Sequence, residues 1–204
     1  MKKTRKFNIL TLIGALLIIS GGSILIGDYI TKQNRNKETE SYKQHFLDGL
    51  DGIDEVDPDT TVEIDIDVHG ILEIDRIDLS LPVANDGNFE NLYSVLVAYN
   101  EAPTPPTEGN YAIAGHNGAC GDTCGFKNLN QVESGDLIRY IDRENTYVYE
   151  VYENIIVDKS DTWILNPKDD ETTLTLITCR YPSWTHPDRL IVHAKLIEVV
   201  PNVS

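Results

Sequence analysis

Basic side chains are scarce in this chain. It has 17 Lys and Arg residues against 33 Asp and Glu, which gives a formal net charge of −16. Four of the basic residues precede the first apolar segment, so the remainder carries a net charge of about −20. A surface of this sign repels polyphosphates, which excludes nucleic-acid binding as a leading hypothesis. It predicts an acidic, well-solvated domain, with a cationic partner or bound divalent ions as the alternative.

Two other signatures are missing. The aspartates near residue 51 lack the glycine and terminal glutamate of an EF-hand loop, so calcium is unsupported and no cofactor or metal site is predicted. No repeated strand–helix unit is visible either, which argues against a parallel α/β sheet. The sequence from Gly70 onward has short apolar and alternating runs separated by turn residues, which is typical of an antiparallel sandwich or barrel.

These runs give the predicted secondary structure. The predicted strands are Gly70 to Ile74, Ile77 to Val83, Tyr111 to Ala114, Leu137 to Ile141, Tyr147 to Val157, Leu174 to Thr178 and Leu190 to Val199. The helical windows are few and short: Phe89 to Val97, Phe126 to Val132 and Thr162 to Leu165. The pattern therefore predicts an all-β domain with short helices.

The chain begins with an uncharged apolar segment. Phe7 to Ile26 is 20 residues long and as a helix would span roughly 30 Å, the thickness of the hydrocarbon core of a bilayer. Lys2, Lys3, Arg5 and Lys6 precede it, so we expect a single-pass anchor with a cytoplasmic N-terminus. A cleaved secretory signal is the alternative. The predicted parts are a cytoplasmic end (1–6), a transmembrane anchor (7–26), an acidic extracellular stalk (27–69) with a helix around Glu40 to Leu50, and a folded domain (70–204).

Three reactive side chains stand at the margins of predicted strands. Cys179 ends the run from Leu174, His116 follows the run from Tyr111 within Gly115-His116-Asn117-Gly118, and Arg189 precedes the run from Leu190. A cysteine acts as a nucleophile when it is a thiolate, and a nearby imidazole accepts its proton. An arginine on a rigid element supplies donors for an oxyanion. Each residue alone is more often structural, but the combination predicts acyl-transfer chemistry.

Two further cysteines follow His116 closely. Cys120 and Cys124 flank a Gly-Asp-Thr turn, and in an oxidising compartment such a pair closes a local disulfide. Free thiols are one alternative. A zinc site with His116 is another, although its spacing is unusual and would occupy the proton acceptor.

At these residues the chain resembles the sortases, the membrane-anchored cysteine transpeptidases of Gram-positive bacteria. Leu176-Ile177-Thr178-Cys179 is similar to the TLxTC signature of that family, Gly115-His116 to its histidine motif, and Arg189 with its apolar strand to its arginine motif. The resemblance covers roughly Gly70 to Val199. It implies an eight-stranded sortase-type β-barrel behind an N-terminal transmembrane helix.

The resemblance also implies a reaction. Cys179 would attack an LPxTG-like sorting signal on a surface protein to form a thioester, and an amine of a cell-wall precursor or pilin would resolve it. His116 would act as acid and base, and Arg189 would hold substrate and oxyanion. Thr178, Ala114 and Trp184 are the predicted substrate contacts. The segment Ile155 to Leu165 is expected to form a wall of the substrate groove.

Two other functions keep the same residues. One is a membrane-tethered, non-catalytic β-barrel that binds a partner, and the other is a hydrolytic cysteine peptidase. Within the family, the chain does not resemble a typical pilus-polymerising class C member, since no second hydrophobic segment follows Val200 and no lid motif precedes the first strands. The subclass is left open.

Overall fold

The computed structural model describes residues 9–50, 66–99, 105, 109–118, 125–166, 171–180 and 187–202. Cys120, Cys124 and Trp184 lie outside the described residues. The predicted disulfide and the predicted substrate contact of Trp184 therefore stay predictions.

A single long helix forms the N-terminal part of the structure. Helix α1 runs from Ile9–Leu50, 42 residues, which corresponds to a length of roughly 63 Å. Its N-terminal portion is apolar, with a mean hydropathy of 1.8 over its most apolar window, and it is long and apolar enough to cross a membrane. The helix predicted around Glu40 to Leu50 is thus the last part of one continuous helix.

Eight strands form a closed barrel, which confirms the predicted fold class. They are β1 (Val68–Ile74), β2 (Leu79–Ala84), β3 (Leu96–Ala98), β4 (Gly109–Ala114), β5 (Leu137–Ile141), β6 (Asn145–Val157), β7 (Thr172–Cys179) and β8 (Arg189–Pro201). Neighbouring strands follow the order β1-β2-β3-β4-β7-β8-β6-β5, and β5 pairs with β1 to close the barrel. The longest pairing joins β6 and β8, two antiparallel strands of 13 residues each.

The structure corrects the antiparallel prediction in part. Strands β2 and β3 are parallel, as are β4 and β7. The helix predicted from Phe89 to Val97 is wrong in its second half, because only Phe89–Tyr93 forms a 3-10 helix and β3 follows. The other two helical windows reduce to the 3-10 helices Leu129–Gln131 and Trp163–Leu165. The strand predicted from Ile77 begins later, at Leu79, because Ile77 is the last residue of a 3-10 helix, Asp75–Ile77.

The barrel interior is filled by apolar and aromatic side chains that alternate along the strands. Four tyrosines from β4, β5 and β6 are almost completely buried there: Tyr111, Tyr140, Tyr147 and Tyr149. The rings of Tyr111 and Tyr140 pack edge to face, with centroids 5.2 Å apart. Large aromatic rings fill volume efficiently, which makes this barrel a packed core.

The last third of α1 packs against the outside of the barrel. Tyr42 and Phe46 are 5% and 3% exposed and belong to a second apolar cluster with residues of β1, β2 and β3. The Thr39 hydroxyl donates to the carbonyl of Ser94 over 2.7 Å. Burying a side chain such as Phe46 contributes roughly 1.5 to 3 kcal/mol. The part of α1 beyond the apolar segment is therefore attached to the folded domain.

Candidate active site

Cys179 and Arg189 occupy facing positions on adjacent strands. β7 ends at Cys179 and β8 begins at Arg189, and the two residues are direct partners in the antiparallel pairing. Side chains of directly opposed residues lie on the same face of a sheet, with Cβ atoms about 4.5 to 5.5 Å apart. Cys179 is a free thiol and is partly exposed. The thiol and the guanidinium thus share one open face at the rim of the barrel.

The segment that carries His116 is bonded to the end of β7 on both sides of the imidazole. The amide of Gly115 donates to the carbonyl of Ile177 over 3.1 Å, and the Thr178 hydroxyl donates to the carbonyl of Gly115 over 2.7 Å. On the other side, Asn117 Nδ2 donates to the carbonyl of Cys179 over 2.9 Å. These three bonds fix the His116 backbone beside Cys179.

Glycine is required at position 115 for steric reasons. A Cβ atom there would lie 2.6 Å from the ring of Phe126 and 2.8 Å from the side chain of Leu96, and both neighbours are buried. The amide of Phe126 also donates to the carbonyl of His116 over 3.0 Å. The buried Phe126 therefore packs against Gly115 and holds the backbone of His116 in place.

Backbone carbonyls hold the Arg189 side chain. Its Nη1 donates to the carbonyl of Pro187 over 2.8 Å, while the Asp188 carboxylate pairs with Arg180 over 3.3 Å. Among the described residues, Arg189 takes part in no ion pair. Its positive charge is thus positioned by neutral acceptors and stays available to an anion beside Cys179.

Burial and charge both favour the neutral form of His116. Burial lowers the pKa of His116 below its ordinary value, and the positive charge of Arg35 lowers it further. The ring of Tyr93 lies against the imidazole, with centroids 4.8 Å apart. A neutral imidazole can accept the proton of a thiol, which is the role predicted for His116.

Tyr99 lies in the electrostatic environment of the same residues. Burial raises the pKa of Tyr99, Arg189 opposes that rise, and Cys179 adds to it. The Tyr99 amide donates to the carbonyl of Ala112 over 2.9 Å. Its hydroxyl therefore stays protonated at neutral pH.

An apolar cluster with a partly exposed edge lies beside Cys179 on the sheet. Ala112, Val157, Ile164, Ile177 and Ile191 form a buried cluster, with Tyr99, Ile155 and Leu165 packed against it. Because side chains two residues apart share a face, Ile177 lies on the face of Cys179, and Ile191 on that of Arg189. The segment from Ile155 to Leu165 contributes side chains to this cluster, and its role as a wall of the substrate groove stays a prediction.

Buried hydrogen bonds connect the wall to the barrel. The side chain of Asn110 on β4 donates to the carbonyl of Ile164 over 2.8 Å and accepts from the Thr175 hydroxyl over 2.7 Å. Thr175 also lies 2.9 Å from Nδ1 of His193. The hydroxyl has one proton, which it gives to Asn110, so Nδ1 of His193 carries a proton and donates. His193 is thus a buried structural residue.

A cavity with a different character lies at the barrel rim. Its volume is about 760 Å³, and its lining includes three cations, Lys32, Lys127 and Arg180, together with Asn117 and Leu190. Asn117 is the residue that bonds to the Cys179 carbonyl, and Arg180 follows Cys179 in the chain. The end of β7 is therefore flanked by an apolar surface and by a polar, cationic cavity.

The predicted substrate contacts differ in how they are placed. Ala114 is buried and pairs with Ile177 in the β4–β7 ladder. Thr178 is 2% exposed, and its hydroxyl is used by the bond to Gly115. The substrate contacts of both residues stay predictions. In the described part of the chain, no group of three or more His, Cys, Asp or Glu side chains could hold a metal ion.

Four residues near the site were not singled out from the sequence: Asn117, Tyr93, Tyr99 and Arg35. Asn117 is adjacent to His116 in the sequence, and that adjacency was the available signal. The two tyrosines lie in or after the 3-10 helix Phe89–Tyr93. Arg35 lies in the segment predicted as a solvated stalk, where no local pattern indicates a contact with His116.

Known proteins with similar sequences and folds share one family. The family model described as Sortase domain matches residues 72–197. Sortase D of Bacillus subtilis (strain 168) is 30% identical over 130 residues, which is 63% of this chain and 63% of that protein, so the match spans less than two thirds of that relative. Sortase A of Bacillus anthracis is 30% identical over 194 residues, 88% of this chain and 89% of the relative. The solved structure of a Clostridium perfringens Sortase D5 transpeptidase has a TM-score of 0.61 and 27% identity, covering 80% of this chain and 98% of that one.

Proposed function

The chain belongs to the sortase family of cysteine transpeptidases, and on that premise we propose that it cleaves an LPxTG-like sorting signal and transfers the cleaved protein to an amine. Cys179 is the nucleophile, His116 the proton acceptor and donor, and Arg189 the residue that binds the oxyanion. The observation that carries this proposal is the convergence of the three at one rim. Cys179 is the strand partner of Arg189, and the residues on either side of His116 are bonded to the end of β7.

The first step is acylation of Cys179. His116 accepts the thiol proton, and the sulfur forms a bond to the carbonyl carbon of the scissile peptide. The carbonyl oxygen becomes an oxyanion, which Arg189 stabilises with a charged donor whose position is fixed by the Pro187 carbonyl. When the tetrahedral intermediate collapses, the peptide C–N bond breaks. His116 gives its proton to the leaving amine, and a thioester remains on Cys179.

The second step transfers the acyl group. The acceptor amine attacks the thioester carbonyl, loses a proton to His116, and expels the Cys179 sulfur, which is then reprotonated. The partly exposed side chains of Tyr99, Ile155 and Leu165 give the apolar cluster beside Cys179 an open side, which suits the side chains of a sorting signal. The acceptor in this proposal is a cell-wall precursor or a pilin.

The location follows from α1 and the charges before it. With its apolar portion as a single-pass anchor and Lys2, Lys3, Arg5 and Lys6 in the cytoplasm, the barrel lies outside the cell membrane. Surface proteins with sorting signals and wall precursors are available on that side. The family membership supports this arrangement.

The test uses the full-length chain purified in detergent and a panel of peptides that vary the sorting signal. We expect a thioester adduct on Cys179 by intact mass, and a transfer product when an amine is added. Cys179→Ala abolishes both, because the nucleophile is gone. Arg189→Ala should lower kcat/KM by at least 100-fold, in line with the loss of an oxyanion donor.

The same assay separates the other functions. Release of the cleaved peptide into water, unchanged by abundant amine, would identify a hydrolytic peptidase. Neither adduct nor cleavage across the panel, with a Cys179 thiol that does not react with alkylating reagents in the native protein, would identify a non-catalytic binding barrel. Either result would overturn the proposal.

A further inference from the structure

A series of side-chain contacts joins helix α1 to the imidazole of His116. The Arg35 guanidinium lies over the ring of Tyr93, with its carbon 4.7 Å from the ring centroid. The same ring lies against His116, at a centroid distance of 4.8 Å and an interplanar angle of 52°. A guanidinium at this distance is attracted by the negative face of the aromatic ring. One side chain thus separates the helix that carries the membrane anchor from the proposed catalytic base.

This part of α1 is fixed to the barrel close to these contacts. One turn beyond Arg35, the Thr39 hydroxyl donates to the carbonyl of Ser94, and the Ser94 hydroxyl donates to Glu38 over 3.3 Å. Ser94 directly follows Tyr93 in the chain. A further turn along, Tyr42 is buried in the cluster between α1 and the barrel. Arg35 and Tyr93 are therefore brought together by neighbouring contacts and do not depend on their own attraction alone.

The contact has an electrostatic consequence for His116. The positive charge of Arg35 lowers the pKa of His116, in addition to burial. The titratable or charged groups around the imidazole come from three directions. Arg35 lies on α1, Tyr93 on the adjoining 3-10 helix, and Cys179 and Arg189 on β7 and β8. Of these, Arg35 is the charge that lowers the pKa of His116.

We propose that Arg35 is a positioning residue, which holds Tyr93 against His116 so that the helix carrying the membrane anchor completes the active site. The proposal rests on the function proposed above. It assigns to α1 a role beyond anchoring: the docked helix orients the imidazole, and the charge of Arg35 adds to the effect of burial in lowering the His116 pKa. Arg35 contacts the ring of Tyr93, and it acts on His116 through that ring and through its own charge.

The test compares variants of the full-length chain in detergent with the peptide and amine identified above. Arg35→Gln should lower kcat/KM by about 3- to 10-fold, as expected for the loss of one cation–π contact. It should also move the acidic limb of the pH profile of kcat/KM to higher pH, because the charge that lowers the His116 pKa is gone. Arg35→Lys keeps the charge but loses the planar stacking surface. It should lower the rate with little movement of the limb.

The ring itself is tested at Tyr93. Tyr93→Phe retains the ring and should lose less rate than Tyr93→Ala, and Tyr93→Ala should reproduce the loss caused by Arg35→Gln. If Arg35 acts through the ring, the double variant Arg35→Gln/Tyr93→Ala loses no more rate than Tyr93→Ala. Lys37→Ala is the matched control, since it removes the same charge from an exposed position on the same helix.

A readout that does not need activity separates this inference from the proposed function. In the Cys179→Ala background, an NMR titration of labelled histidines gives the His116 pKa directly, with assignment by His116→Asn. We expect Arg35→Gln to raise that pKa. An unchanged pKa together with an unchanged kcat/KM, or a fully additive double variant, would overturn the positioning role. A wild type without transpeptidation, but with the pKa shift, would instead count against the proposed function.

Discussion

Asn117 donates a hydrogen bond from Nδ2 to the backbone carbonyl of Cys179 over 2.9 Å. This bond joins the residue after His116 to the residue that ends β7. It fixes the separation of the two chain segments that carry the proposed base and nucleophile. The amide is needed here because it supplies a neutral donor to a carbonyl at a partly exposed rim.

Asn117→Ala should lower kcat/KM by about 3- to 10-fold, since a neutral hydrogen bond contributes about 0.5 to 1.5 kcal/mol and its loss frees the His116 segment. Asn117→Asp should be at least as damaging, because a carboxylate accepts and repels the carbonyl. Steady-state kinetics of the purified full-length chain give both values. Asn130→Ala, which alters another exposed amide of the same cavity lining, should leave kcat/KM unchanged. Equal effects at the two positions would contradict a specific role of the Asn117 bond.

Thr175→Val should destabilise the domain and loosen the apolar wall. The substitution removes the donor at 2.7 Å from Asn110, which keeps its longer bond from the Thr173 hydroxyl at 3.3 Å, and it removes the Thr175 hydroxyl at 2.9 Å from His193. Each lost hydrogen bond costs about 0.5 to 1.5 kcal/mol. Since Asn110 also holds the carbonyl of Ile164, we expect the KM for the peptide to rise. Urea denaturation and kinetics measure the two effects. Thr162→Val is the control, as this exposed threonine makes no capping bond.

Tyr149→Phe should be neutral or stabilising by up to about 1 kcal/mol, because a buried hydroxyl without a partner costs free energy. Among the described residues, the Tyr149 hydroxyl has no hydrogen-bond partner. The matched variant is Tyr147→Phe. The Tyr147 hydroxyl donates to Asp142 over 2.9 Å and accepts from Asn145 over 3.2 Å. Its loss should destabilise the protein by about 1 kcal/mol. Thermal unfolding of the two variants should therefore differ in sign or clearly in size.

The buried tyrosines predict a loss of stability at alkaline pH. Burial raises the pKa of Tyr147 to about 12, and it raises the pKa values of Tyr111, Tyr140 and Tyr149 as well. In the unfolded chain these phenols ionise near pH 10. Above that pH the unfolded state binds fewer protons than the native state, so the free energy of unfolding falls as pH rises. Unfolding temperatures measured from pH 8 to 12 should decrease above about 10. The unfolding temperature of Tyr147→Phe should decrease less steeply with pH, relative to its own value at pH 8, because one of the four buried phenols is removed.

Much of the fold and the placement of three candidate residues could be predicted from local patterns. Strands β7 and β8 are apolar, β-branched runs, and their ends fall at Cys179 and Arg189 as expected. The family prediction, made on the motifs around these residues, is confirmed. The positions of Cys179 and Arg189 at strand ends were predictable because turn residues mark those ends in the sequence. The catalytic roles of Cys179, His116 and Arg189 stay predictions.

The features that were missed depend on contacts between distant segments. β3 has three residues, too few for a period to be recognised, and its pairings are parallel to β2 and antiparallel to β4. Arg35 belongs to a polar stretch that resembles a solvated linker, and it contacts Tyr93 only because α1 continues without interruption and lies against the barrel. No local propensity encodes such a contact, since it depends on how two separate elements pack.

The continuity of α1 also determines how far the barrel rim with Cys179 would lie from the membrane. Ile26 ends the predicted anchor, and Arg35 lies nine residues further along the same helix, which is about 14 Å along the helix axis. With the apolar portion in a bilayer, the catalytic rim would stand close above the lipid headgroups, without the reach of a flexible tether. In that arrangement the proposed cleavage sites and acceptor amines would have to lie near the membrane surface to reach Cys179.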